Sequence, residues 1–147
     1  MEFVFDHKLL NISGMEENTD HGKESESYIP GICNIGKEEL DKRRKGMIFA
    51  FFIFVTLVFL QVFFKVAPVW RLIIFIPAVI FAIYALQFYF KFCVALGMKG
   101  LYNFGAPGKA FTVSQKEDFE KDRVKARKLI GSALLFGMVC AILFYFL

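Results

Sequence analysis

Three stretches of nineteen residues, Gly46–Phe64, Leu72–Phe90 and Leu129–Leu147, carry no Asp, Glu, Lys, Arg or His. As helices they each reach about 28 Å, close to the roughly 30 Å hydrocarbon layer of a bilayer. None has the polar stripe that a helix on the surface of a soluble protein needs. Burying three such helices inside a water-soluble bundle would take more polar surface than 147 residues supply. The composition agrees: 56% of residues are hydrophobic, 18% are aromatic, and mean hydropathy is +0.50. The sequence therefore predicts an all-α integral membrane protein with three transmembrane helices. It excludes a disordered tail, a disulfide-stapled secreted module and a nucleic-acid binder.

Charge sets the expected direction. Lys and Arg resist translocation, so cation-rich segments stay in the cytoplasm. Five cations precede span one (Lys37, Lys42, Arg43, Arg44, Lys45), and nine lie in residues 91–128. The turn between spans one and two has only Lys65 and Arg71, and none follows span three. The N-terminus and the 91–128 loop are thus expected in the cytoplasm and the C-terminus outside. Span one begins too late, and lacks the following small-residue site, to be a cleaved signal peptide.

Residues 1–29 hold seven acids against two lysines and read as a mobile acidic arm, with residues 30–147 as the membrane domain. Pro30 and Gly31 break the lead-in. A helix is expected from about Lys37, capped by Asn34 or Gly36, with Glu38 and Glu39 in its dipole-favoured first turn. The same order of cap, acids and bases recurs before span three. Ser114 and Glu117 form an expected capping box, Glu117 and Lys121 an expected i,i+4 pair, and Arg123, Lys125, Arg127 and Lys128 follow. Helices one and three should therefore extend into the cytoplasm.

The clusters Lys42, Arg43, Arg44, Lys45 and Arg123, Lys125, Arg127, Lys128 suit topology control and contact with anionic lipid headgroups. Within the spans, Ala78, Ala82 and Ala85 face an expected partner stripe of Ala133, Gly137 and Ala141, because small residues let membrane helices approach. Span one instead offers a row of phenylalanines to lipid or to a partner. Pro77 should kink span two or mark its first turn. Residues 88–108 leave two readings open. They are either a plain helix exit with interfacial aromatics or a compact turn folded against Tyr28–Gly36 as a cytoplasmic cap.

The spans contain no ionisable Asp, Glu, Arg or His, so ion-coupled transport has no group to run on. No catalytic constellation, metal site or cofactor-binding motif is evident. Cys33 and Cys93 are candidate thiols at the cytoplasmic interface, where nearby cations favour the thiolate. In a reducing compartment they serve equally as small packing residues.

The string Tyr28-Ile-Pro-Gly-Ile-Cys-Asn-Ile-Gly36, followed by Glu39, Arg43, Arg44, Phe92-Cys93 and Tyr102-Asn-Phe-Gly105, resembles a group of small bacterial multi-pass membrane proteins with a Cys-Asn-Ile-Gly box before the first span. The resemblance covers roughly residues 28–128. At a few positions the chain is also similar to the membrane hairpin of some rhodanese-type proteins, without their active-site loop. What the resemblance implies is a bacterial cytoplasmic membrane and a paired Cys33/Cys93 region; no activity carries over. The expected function is a non-enzymatic accessory or scaffold subunit, partnered by other membrane subunits or by itself. A thiol-dependent role for Cys33 and Cys93 is the alternative, and small-solute permeation through an oligomer is the third.

Overall fold

The computed structural model describes residues 28–105 and 109–147. The expected acidic arm lies almost wholly outside the described residues, as do positions 106–108 of the loop. The described residues are mostly helical, at 74%. Three helices are long and apolar enough to cross a membrane, Lys37–Phe63, Pro68–Tyr89 and Lys116–Phe146.

Helix α1 (Lys37–Phe63) begins at Gly36, an extended residue, with Glu38 and Glu39 in its first turn. Its 27 residues extend about 40 Å, so its charged first turns project beyond a hydrocarbon layer. The middle span starts with α2 (Pro68–Arg71), which places Pro68 where no amide hydrogen bond is required. A 3-10 turn (Leu72–Ile74) leads into α3 (Phe75–Tyr89). Pro77 is the third residue of α3, directly after the 3-10 turn, and its missing amide leaves the Ile73 carbonyl without an α-helical bond from that position. A short α4 (Val94–Lys99) ends at Gly100, whose φ of 68° a side chain would strain. Strands β1 (Leu101–Tyr102) and β2 (Phe111–Thr112) then pair antiparallel, with Tyr102 opposite Phe111. Helix α5 (Lys116–Phe146) completes the chain. The two-residue strands are a small departure from an all-helical expectation.

Helix α3 is the central element, packed on both α1 and α5, while α1 and α5 scarcely touch each other. Small residues make both approaches possible. A Cβ at Gly46 of α1 would sit 2.6 Å from the Tyr84 ring of α3, and one at Gly137 of α5 would collide with Val79. Ala78, Ala82, Ala133, Gly137 and Ala141 are buried, and Ala85 is half-buried. At the charged end of the bundle, Phe92, Ala126 and Leu129 form a buried cluster, with Ile83, Leu86 and Val94 packed around it.

Of the two residues expected to cap α1, Gly36 stands at the cap position, without a side-chain cap, and the Asn34 amide is engaged elsewhere. One local expectation is corrected. The Ser114–Glu117 capping box does not form. The residue before α5 is Gln115, again without a side-chain cap. The helix thus starts one residue later than the box requires, and Lys121 pairs with Asp118 at 2.9 Å instead of with Glu117.

Candidate functional site

Sequence places three segments at the charged end of the bundle: the lead-in Tyr28–Gly36, the exit Lys91–Asn103 and the base of α5. Asn34 is the hub that joins the first two. Its amide nitrogen donates to the Cys93 carbonyl (3.1 Å), and its amide oxygen accepts from the Cys93 amide (2.6 Å). Its backbone carbonyl accepts from the Asn103 amide at 2.9 Å, and the Gly36 amide donates to the Asn103 carbonyl at 2.8 Å. Asn34, Ile35, Phe92 and Cys93 are all at most 1% exposed. The folded-back cap, rather than a plain helix exit, is therefore the arrangement that residues 88–105 adopt.

Asp122 ties the lead-in to α5. This carboxylate is fully buried and accepts from the Gly31 amide (2.6 Å) and the Tyr28 hydroxyl (2.9 Å). Burial raises the Asp122 pKa above its ordinary value, against the lowering effect of those two donors. Burial and the neighbouring carboxylate likewise hold the Tyr28 hydroxyl protonated well above its usual range. Tyr28 stacks on Tyr102 with ring centroids 4.6 Å apart, and Tyr102 stacks in turn on Phe111.

Beside the hub lies a cleft of about 200 Å³ lined by Glu39, Arg43, Cys93, Leu96 and Asn103. The Arg43 guanidinium donates to the Cys93 sulfur at 3.0 Å and lies 3.7 Å from Glu39. Lys42 pairs with Glu39 at 2.8 Å. Cys33 takes a different neighbour: its sulfur lies 3.6 Å from the Ile35 carbonyl oxygen. The two cysteines thus share the cap, while their thiols face different partners. Among the described residues, no three His, Cys, Asp or Glu side chains gather into a metal-holding group.

The cation clusters divide in two. Lys42, Arg44, Lys45, Arg123, Arg127 and Lys128 are exposed. Arg43 turns inward to Cys93, and the Lys125 amine sits 4.2 Å from the centroid of the Phe90 ring. Sequence reasoning missed Asp122 and Asn34 as organising residues. A signal for Asp122 was present: it falls on the buried α5 stripe Asp122, Ala126, Leu129, Ala133, Gly137, Ala141, spaced by three and four.

Comparison with protein-family models, curated proteins and solved structures finds no match to this chain.

Proposed function

We propose that this protein is a non-enzymatic multi-pass membrane subunit, an accessory or scaffold that packs with other membrane subunits or with itself. In this reading it sits in a bacterial cytoplasmic membrane, with the cap inside the cell. The observation that carries the proposal is the contrast between the two ends of the design. The cap is closed by buried hydrogen bonds, whereas along the apolar run of α1 only Ala50 and Gln61 are buried. Phe49, Phe52, Phe59, Phe63 and Phe64 all stand outward. A rigid base thus presents a broad, adaptable aromatic face at membrane depth. Large exposed apolar faces suit association as well as lipid contact. Crosslinking in native membranes followed by mass spectrometry tests it. Reproducible adducts through α1 support the subunit role; a chain that crosslinks to nothing and runs as a lone monomer contradicts it.

A second reading rests on the Arg43–Cys93 contact of 3.0 Å. The guanidinium sets a fixed cation and hydrogen-bond donor against the sulfur. If Cys93 serves thiol chemistry, it alkylates at neutral pH faster than free cysteine, and Arg43→Gln slows it. A packing cysteine that is 1% exposed alkylates far more slowly than free cysteine in both proteins.

A further inference from the structure

Two helix ends in this chain are built alike. Helix α1 finishes Gln61-Val-Phe-Phe-Lys65-Val66, and α3 finishes Gln87-Phe-Tyr-Phe-Lys91-Phe92. In each, the lysine takes a left-handed φ of 48°. In each, the residue after it donates its amide back to the glutamine carbonyl, Val66 to Gln61 at 3.1 Å and Phe92 to Gln87 at 3.0 Å. Both glutamines are only 7% exposed.

Their side chains differ in one respect. The Gln87 amide oxygen accepts from the Val94 amide at 3.3 Å, so the chain leaving α3 satisfies it. The Gln61 amide oxygen is buried and has no partner. A buried acceptor left unpaired costs about 1–3 kcal/mol, and at membrane depth water is scarce.

Gln61 lines a cavity of about 310 Å³ at the end of the bundle opposite the cap, together with Lys65, Arg71, Phe144 and Leu147. This space exists because α1 and α5 both lean on α3 and not on each other. Arg71 spends its Nε–H on the Val66 carbonyl at 2.7 Å, which aims the rest of the guanidinium from a fixed base. Neither Lys65 nor Arg71 has a carboxylate partner among the described residues. The sequence offers no Asp or Glu between Asp41 and Glu117 to supply one. The site therefore combines two cations without an Asp or Glu partner among the described residues, a buried acceptor without a hydrogen-bond donor, and apolar walls.

We propose that this cavity binds the headgroup of a glycerophospholipid that carries a hydrogen-bond donor next to its phosphate. The phosphate sits between Lys65 and Arg71. The Gln61 amide, whose oxygen is buried in the structure as it stands, turns into the cavity to accept from the headgroup hydroxyl or ammonium, and an acyl chain descends the groove between α1 and α5. The site is separate from the cation clusters beside the cap and holds whether or not the protein acts as a subunit.

The test is native mass spectrometry of the full-length protein, offered an equimolar mixture of phosphatidylethanolamine and phosphatidylcholine. Both carry the phosphate, but the choline headgroup has no donor. The native protein should retain the ethanolamine lipid about tenfold over the choline lipid. Gln61→Leu should erase the preference, and Lys65→Gly, which keeps the left-handed turn, should weaken retention of both. Equal retention of the two lipids by the native protein overturns the proposal, as does a preference that survives Gln61→Leu. Glycerol 3-phosphate held by a protein that retains neither lipid overturns the lipid assignment.

Discussion

Asn34 and Cys93 stand 59 residues apart and exchange two hydrogen bonds, amide nitrogen to Cys93 carbonyl and Cys93 amide to amide oxygen. Asparagine is the residue this exchange requires, since one short side chain must both donate and accept. The pair fixes the chain entering α1 to the chain leaving α3, so the first two long helices are clamped together at one end.

Replacing Asn34 should therefore loosen the cap. Asn34→Ala leaves the Cys93 amide unpaired in a dry site, while the Cys93 carbonyl keeps the Gly97 amide at 2.9 Å, and should cost about 1–3 kcal/mol. Asn34→Asp should not rescue it, because a carboxylate cannot donate to the Cys93 carbonyl and adds a buried charge. Thermal unfolding in detergent, with hydrogen exchange at the Cys93 amide, reads both effects. Native-like protection in Asn34→Ala would show that the clamp is dispensable.

The Asp122 latch has a pH signature. Burial raises its pKa above 3.8 in the folded protein, so folding favours the protonated form. That contribution is complete below pH 3.8 and is lost as pH rises through the raised value. Protection of the Gly31 amide, corrected for intrinsic exchange, should thus be greater at pH 4 than at pH 7. Asp122→Asn keeps one acceptor oxygen and removes the titration, and should flatten the profile. A profile unchanged by Asp122→Asn would assign the dependence to another group.

Two glycines on α5 should respond in opposite ways. A Cβ at Gly137 collides with Val79 and comes within 3.2 Å of the Phe75 ring, whereas one at Gly131 meets nothing within 4 Å. Gly137→Ala should destabilise the α3–α5 contact by about 1–3 kcal/mol through overpacking. Gly131→Ala should be neutral or stabilising by up to about 1 kcal/mol, through helix propensity. Equal melting temperatures for the two variants would mean that α5 does not pack on α3 through this face.

The membrane-length helices were legible because apolarity and absence of charge are properties of a segment by itself. The small residues of α3 and α5 were legible for a related reason, since three- and four-residue spacing defines a helix face without reference to a partner. The cap was only half legible. Its aromatic and glycine content marked a turn, but Asn34 looked like a local helix cap because its true partner, Cys93, is distant in sequence. The Ser114 box failed on register. Val113 donates to the Gly100 carbonyl at 2.9 Å next to the β1–β2 pair, which holds the entering chain extended. The helix then starts after Gln115, bringing Asp118 and not Glu117 to the third position. Boundaries of this kind shift by one or two residues with tertiary context. The unmet Gln61 acceptor was illegible because it emerges only from comparison with Gln87 in space.

In the proposed arrangement the chain crosses the membrane three times with its hydrogen-bonded cap in the cytoplasm. Parallel fusions of alkaline phosphatase and of green fluorescent protein after Leu147, expressed in a Gram-negative bacterium, test it most directly. An active phosphatase with a dark fluorescent fusion is the predicted result. A bright fluorescent fusion with an inactive phosphatase would contradict it.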